Sequence, residues 1–111
     1  MKFDHIALTS NNIQNSIDWY KSIFNDVSVI YQDETWCLID VIGTKIAFVS
    51  PEQHPPHIAF RVSLDAVSEQ LNKIYPGHVW KLHRDLSKSF YVKDPSGNFV
   101  EFIKYKEDYE K

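Results

Sequence analysis

The stretch FDHIAL at residues 3–8 is made a second time as PHIAF at residues 56–60. In both copies a histidine is followed by an isoleucine, an alanine and a large apolar residue. Side chains alternate between the two faces of a strand, so the histidine and the alanine share one face and the large apolar residues share the other. The apolar face is suited to packing on a helix. The face that carries His5 or His57 beside a small alanine leaves room for a ligand.

The repeat continues to the end of each copy. Four residues have a counterpart 54 positions later (94 − 40): Asp40, Gly43, Ala47 and Phe48 correspond to Asp94, Gly97, Glu101 and Phe102. At the same offset, Trp36 and Leu38 correspond to Phe90 and Val92. The two halves of the chain are therefore expected to share one structure.

Hydrophobic periodicity predicts the same order of elements in each half. A helix over residues 13–24 follows Ser10-Asn11-Asn12, and a helix over residues 64–74 follows Ser63, because Ser and Asn cap helix N-termini. Strands are predicted at residues 3–8, 27–31, 36–41 and 45–49 in the first half, and at 57–62, 79–82, 87–92 and 98–104 in the second. A proline-rich linker at residues 51–56 separates the halves.

These elements predict an α+β fold built from two βαβββ modules, at about residues 1–50 and 56–105. One such module is too short to bury its own sheet, but two modules side by side can form one curved mixed sheet around a cavity, with the helices outside. We expect the modules to make a single domain over residues 1–111.

The composition is typical of a soluble globular chain, with 43% hydrophobic and 24% charged residues. No apolar run approaches the roughly 20 residues that span a bilayer, and the N-terminus shows no secretory signal, so we expect a cytoplasmic protein without membrane contact. A net charge of −3 with 12 scattered Lys and Arg residues argues against a nucleic-acid partner. Cys37 is the only cysteine, which excludes an internal disulfide and a thiolate metal cluster.

The repeat is expected to place four equivalent positions around a pseudo-twofold axis, and these hold His5, Ala47, His57 and Glu101. Two imidazoles and one carboxylate that converge on a cavity make a facial triad, which leaves coordination sites open for water or substrate. Fe(II), Mn(II), Zn(II), Ni(II) and Co(II) all suit this donor set. The alternative is structural: the histidines hydrogen-bond to each other or to water, and Glu101 pairs with an arginine.

Four segments together carry a family resemblance: DHIAL at residues 4–8, SIDWY at 16–20, PHIAF at 56–60, and SFYVKDPSGNFVEF at 89–102. With them the chain resembles, over nearly its whole length, the vicinal oxygen chelate superfamily of glyoxalases, bleomycin-resistance proteins and extradiol dioxygenases. In that superfamily the metal ligands lie on the first and last strand of each module. The resemblance therefore implies ligand roles for His5, His57 and Glu101.

The fourth ligand position of this chain holds Ala47. Glyoxalases of the superfamily carry a carboxylate there and methylmalonyl-CoA epimerases a glutamine, whereas two histidines and one glutamate form the site of extradiol dioxygenases. The resemblance implies Lewis-acid chemistry of the lyase, isomerase or dioxygenase type, without choosing among them. Because a second carboxylate is missing, Glu101 or Tyr91 would have to serve as the catalytic base.

Further candidate site residues lie outside the triad. Arg84 precedes the penultimate strand, where it could bind a substrate carboxylate or simply face solvent. Ser89 and Tyr91 share one face of their strand, and Tyr91 would either donate a proton or hydrogen bond to the substrate or only pack. Trp36 would line the pocket or the core. His54 is assigned to the linker.

These observations predict a small divalent-metal-dependent enzyme that acts on a small oxygenated substrate. The alternative is a metal-free protein of the bleomycin-resistance type, which would sequester a ligand between aromatic walls. The resemblance also implies a homodimer, with exchange of modules between subunits left open.

Overall fold

The computed structural model describes residues 1–109, except for the side chain of Asp65. It contains two βαβββ modules in succession, as predicted. The elements are β1 (Lys2–Thr9), α1 (Ile13–Ile23), β2 (Val27–Gln32), β3 (Trp36–Val41), β4 (Thr44–Val49), β5 (His57–Arg61), α2 (Asp65–Ile74), β6 (Lys81–Leu82), β7 (Lys88–Lys93), β8 (Phe99–Lys104) and a short 3-10 helix (Lys106–Asp108).

The eight strands form one mixed sheet in the order β2-β3-β4-β1-β5-β8-β7-β6, so the predicted α+β class is confirmed. Strand β1 runs parallel to β4. Strand β3 pairs antiparallel with both β2 and β4. Strands β6, β7 and β8 are likewise linked by antiparallel pairing. Neither helix in the described part of the chain is long and apolar enough to cross a membrane.

By its internal contacts the chain divides into two compact units. The first unit is His5–Ile58, and the second unit combines Met1–Asp4 with the chain from Ala59 onwards. The division falls within β1 and β5, next to His5 and His57.

The core of the first unit lies between α1 and the strands β3 and β4. Ile13 and Ile17 of the helix are buried there, as their helical spacing predicts. The strand residues buried in this core cluster are Cys37, Ile39, Val41 and Phe48. Asn12 caps the helix because its side chain accepts a hydrogen bond of 3.0 Å from the backbone N–H of Asn15.

The core of the second unit is smaller. Its buried cluster consists of Val62, Leu71 and Phe90. The helix α2 begins one residue later than its sequence predicts: the N-cap is Leu64, which makes no side-chain capping bond, so the assignment of Ser63 as the cap is wrong. Leu64 and Ile74 are each 57% exposed, whereas Leu71 in the middle of the segment reaches the core.

The segment after β8 is anchored within the second unit through Asp108. The Arg61 guanidinium donates two hydrogen bonds of 2.9 Å to the Asp108 carboxylate, which is 1% exposed. That carboxylate also accepts a 3.0 Å bond from the backbone N–H of Tyr105. Residues 106–108 thus form a short 3-10 helix.

The β3–β4 and β7–β8 hairpins differ in register, and this corrects one sequence prediction. Ala47 lies opposite Leu38, whereas Glu101 lies opposite Tyr91. The structural counterpart of Tyr91 is therefore Leu38, at an offset of 53 positions (91 − 38). Matching Trp36 and Leu38 to the core-facing residues of β7 at the offset of 54 was wrong by one residue.

The length of the two turns is the physical reason for this shift. Ile42 and Gly43 form a two-residue turn in which both backbone φ angles are positive, at 53° and 85°. In the second hairpin, the backbone N–H of Asp94 donates to the carbonyl of Asn98, and three residues lie between them. The third of these, Gly97, has a φ of 87°. The extra residue moves the preceding strand by one position relative to the first hairpin.

Candidate metal centre

His57 is held in one tautomer by the linker that precedes β5. Its side chain is buried, and its Nδ1 lies 2.9 Å from the carbonyl oxygen of Pro55. A carbonyl oxygen only accepts hydrogen bonds, so Nδ1 carries the proton and donates it. The Nε2 atom therefore presents its lone pair. This arrangement, in which one ring nitrogen is fixed by a backbone carbonyl, is the one that metal-binding histidines adopt.

Two further imidazoles lie near His57 in the first unit. The ring of His5, on β1, has its centroid 5.9 Å from that of His57, and the ring planes meet at 72°. The ring centroid of His54, which directly precedes Pro55 in sequence, lies 6.2 Å from that of His57. The sequence assigns His54 only to the linker, because nothing in its spacing indicates that the linker folds back. Its position three residues before His57 is the one sequence signal for this proximity.

Glu101 lies on β8 in the second unit, where it is 4% exposed. It faces Tyr91 across the β7–β8 pair and accepts a hydrogen bond from the Tyr91 phenol. Burial, the negative charge of Glu101 and this hydrogen bond together raise the pKa of Tyr91 far above its usual value. Tyr91 therefore remains a neutral hydrogen-bond donor at physiological pH.

His5, His57 and Glu101 make up a candidate metal-binding triad. One donor atom from each residue lies within 4.8 Å of the others. Two imidazole nitrogens and a carboxylate oxygen are a donor set that divalent transition metals accept. The tautomer of His57 and the burial of Glu101 both fit such an ion. The tautomer leaves the lone pair on Nε2 of His57, and burial limits the access of water to the Glu101 oxygens.

Ser89 and Tyr91 share one face of β7, while Phe90 between them points into the core of the second unit. Ser89 is 1% exposed, and its Oγ lies 2.6 Å from Nε2 of His83. His83 comes from the turn between β6 and β7, a contact that its sequence position alone does not indicate. It holds the Ser89 hydroxyl in place.

The remaining candidate residues are more peripheral. Arg84 lies on the exposed turn between β6 and β7. Trp36 is partly buried and stacks on Tyr31, with ring centroids 4.5 Å apart and planes at 27°. It lies on the face of β3 opposite Cys37, which belongs to the core of the first unit.

The second unit also contains an open groove of about 650 Å³ beside β7. Its lining is largely aromatic and apolar, and it comprises residues 74–79, Lys81 and residues 89–92. The ring of His78 stacks on Phe90 there, with centroids 4.0 Å apart. Because β6 pairs with β7 only through Lys81 and Leu82, the edge of β7 beyond Ser89 is left open to this groove.

Comparison with known proteins gives a fold assignment. No protein family model and no curated protein sequence matches the chain. Among solved structures, a glyoxalase/bleomycin resistance protein/dioxygenase superfamily member from Vibrio splendidus superposes with a TM-score of 0.65 at 16% identity, over 93% of this chain and 99% of that one. Methylmalonyl-CoA epimerase from Streptomyces coelicolor gives 0.69 at 12% identity, over 97% and 96%.

A protein from Legionella pneumophila described as an NAD-dependent benzaldehyde dehydrogenase gives a TM-score of 0.70 at 13% identity, over 91% of this chain and 97% of that one. At these identities the likeness concerns the fold. The chain has the fold of the glyoxalase/bleomycin resistance/dioxygenase superfamily, so the resemblance drawn from the sequence is confirmed at that level. The activity has to be argued from the residues of the site.

Proposed function

We propose that this chain is a small divalent-metal-dependent enzyme that acts on a small oxygenated substrate. His5, His57 and Glu101 are its metal ligands. The observation that carries the proposal is the convergence of these three donors. The Pro55 carbonyl supports it independently, because it keeps Nε2 of His57 unprotonated.

The bound ion would supply Lewis-acid chemistry, by polarising substrate oxygens and stabilising the negative charge that develops on them. The residues of the chain have separate tasks. The two imidazoles and Glu101 fix the position of the ion. Tyr91, which stays protonated, donates a hydrogen bond and is a poor proton acceptor. This leaves Glu101 as the candidate base, and it would have to dissociate from the ion to accept a proton.

The substrate would be bound by residues that frame the site. Ser89 offers a hydroxyl that His83 holds in place. Arg84 would pair with a substrate carboxylate, and Trp36 would provide an aromatic wall.

We further propose that the protein acts as a homodimer, which sedimentation or light scattering would measure directly.

Ala47 sets this site apart from one with two carboxylates. Its cross-strand neighbour is Leu38, so the position equivalent to Glu101 and Tyr91 is apolar. Chemistry that needs a second carboxylate on the metal is disfavoured. Lyase, isomerase and dioxygenase reactions that use one carboxylate ligand remain compatible with the residues. Among the solved structures of this fold, one is a methylmalonyl-CoA epimerase and another a catechol 2,3-dioxygenase.

A metal-free binding protein is the second candidate function, and the groove beside β7 favours it. Its stacked His78 and Phe90 and its aromatic lining suit a flat ligand. In that case the groove, rather than the triad, would carry the function.

Metal analysis of purified protein separates the two functions. We expect about one divalent ion per chain after reconstitution, lost in His57→Ala. His78→Ala is the matched control, because Nδ1 of His78 also contacts a backbone carbonyl, that of Tyr75 at 2.6 Å, outside the triad. If the wild-type protein retains no ion, the enzyme proposal is wrong. If ligand binding is abolished by His78→Ala and not by His57→Ala, the binding protein is the correct reading.

A further inference from the structure

The structure assigns Tyr91 a role that the triad alone does not contain: it is the positioning residue for the Glu101 carboxylate. This inference rests on the proposed metal site and concerns how that site is built. Tyr91 neither binds the ion nor moves a proton. Its phenol fixes the orientation of the carboxylate, so that one oxygen is committed to Tyr91 and the other remains for the ion.

The β7–β8 register places the two side chains directly opposite each other. Directly paired residues of antiparallel strands have Cβ atoms about 4.5–5.5 Å apart, so the phenol can reach the carboxylate without distortion of the backbone. The neighbouring pairs in the ladder, Phe90 with Phe102 and Val92 with Val100, point to the opposite face. The Tyr91–Glu101 contact is therefore set by the strand pairing of β7 with β8.

Burial gives this contact its weight. Glu101 is 4% exposed, so water has little access to its oxygens. A hydrogen bond to an ionised acceptor in such surroundings is stronger than one between neutral groups. A carboxylate can rotate about its last bond and can bind an ion through one oxygen or both. A fixed donor on one oxygen removes that freedom and favours binding through a single oxygen.

The first unit shows the same position without this device. There the structural counterparts of Tyr91 and Glu101 are Leu38 and Ala47, which also face each other across a strand pair. The phenol and the carboxylate thus occur together in one unit, and both are missing in the other. This is the pattern expected if the tyrosine serves the carboxylate, since a tyrosine kept for packing alone would not depend on it.

The experiment compares Tyr91→Phe with Tyr105→Phe. Tyr105 lies in the same unit and donates from its phenol to a carboxylate oxygen of Asp4 at 2.5 Å, so it is a matched tyrosine–carboxylate pair outside the triad. Affinity for Co(II) and Zn(II) is measured by titration, together with the visible absorption spectrum of the Co(II) protein. We expect Tyr91→Phe to weaken metal binding by roughly 10- to 100-fold and to alter the Co(II) spectrum. Tyr105→Phe should change neither.

A second measurement does not need metal. Denaturation midpoints of the apo protein are compared for Tyr91→Phe, Glu101→Ala, which removes the acceptor, and the double variant. If the hydrogen bond exists, the two substitutions are not additive, because each removes the same contact. Additive midpoint shifts overturn the contact. Non-additive shifts with unchanged metal affinity and spectrum in Tyr91→Phe overturn the positioning role alone. Absence of metal binding in the wild-type protein overturns the proposed function and, with it, this role.

Discussion

At the scale of single residues, the Pro55 carbonyl fixes the tautomer of one candidate metal ligand, His57. It accepts a hydrogen bond from the Nδ1–H of His57 and leaves Nε2 as an acceptor. A histidine with the opposite tautomer would turn an N–H toward the ion and could not bind it. The proline after Pro55 helps, because the residue before a proline is confined to extended conformations. The linker thus has a chemical task.

The tautomer can be tested without metal. In the apo protein, at a pH where His57 is neutral, we expect Nδ1 to carry the proton and Nε2 to be unprotonated. Long-range ¹H–¹⁵N correlation spectra distinguish the two nitrogens by their chemical shifts. His57→Ala assigns the signals, and His78 provides an internal reference with the same type of carbonyl contact. A bare Nδ1 in His57 would contradict the geometry on which its ligand role depends.

Ile42 is a residue whose backbone conformation opposes its side chain. Its φ is 53°, in a region that β-branched residues avoid, and its side chain is 63% exposed. Such strain costs about 1–3 kcal/mol, and two-residue hairpin turns of this kind prefer Asn followed by Gly. Ile42→Asn should therefore raise the free energy of unfolding by about 1 kcal/mol. Urea denaturation measures this, with Ile74→Asn as the control.

Ile74 is similarly exposed but lies in α2. Its replacement by Asn should destabilise slightly, because Asn is the poorer helix former and the position carries no strain to relieve. Equal effects of the two substitutions would show that loss of an exposed apolar side chain, and not relief of the turn, is responsible.

At the scale of elements, one carboxylate organises the turn between β2 and β3. Asp33 accepts hydrogen bonds from the Tyr31 phenol at 2.6 Å, from the backbone N–H of Thr35 at 2.7 Å and from that of Trp36 at 2.9 Å. The bond from Tyr31 is the largest cause, and with the backbone bonds it lowers the pKa of Asp33 far below its usual value. The turn therefore holds Asp33 in its ionised form.

This depressed pKa predicts an acid dependence of stability. Because the folded pKa lies below the unfolded value of about 3.9, the contribution of Asp33 is fully present above pH 4–5 and is lost as the pH falls through the folded pKa. We expect Asp33→Asn to destabilise the protein at neutral pH and to reduce the loss of stability between about pH 4 and pH 2. Urea denaturation across this range measures the effect. Glu34→Gln, in the same turn, should leave the acid slope unchanged.

The order of the elements could be predicted from the sequence, but the pairing of the strands could not. Hydrophobic periodicity is a local signal, and it predicts the order of the helices and strands because each pattern lies within one segment. Cross-strand pairing depends on turn length, and one extra residue before Asn98 was enough to misalign Trp36 with the wrong residue of β7. His54 and His83 were missed as neighbours of site residues for a similar reason, since their contacts arise from the path of loops.

At the scale of the whole molecule, the duplicated sequence forms two modules with the same order of elements and different residues at equivalent positions. The position that carries Glu101 and Tyr91 in one carries Ala47 and Leu38 in the other. The duplication could be predicted from the sequence because the His-Ile-Ala motif of the first strand recurs in the second half. The pairing of Tyr91 with Glu101 could not, since it requires the register of the second hairpin.

A ligand that binds only the folded chain shifts the unfolding equilibrium of the molecule as a unit. If the triad holds a divalent ion, a free concentration of 100 times the dissociation constant should add about 2.7 kcal/mol to the free energy of unfolding. For a chain of this size that corresponds to a rise in Tm of roughly 10 °C. Thermal denaturation with Zn(II) or Co(II), against a chelator, measures it.

The gain should vanish in His57→Ala and Glu101→Ala and persist in His78→Ala, because only the first two remove a donor of the triad. A gain of equal size in all three variants would place the ion elsewhere on the protein. A gain that survives in Glu101→Ala but not in His57→Ala would mean that the imidazoles bind the ion without the carboxylate, and the role of β8 in the site would have to be abandoned.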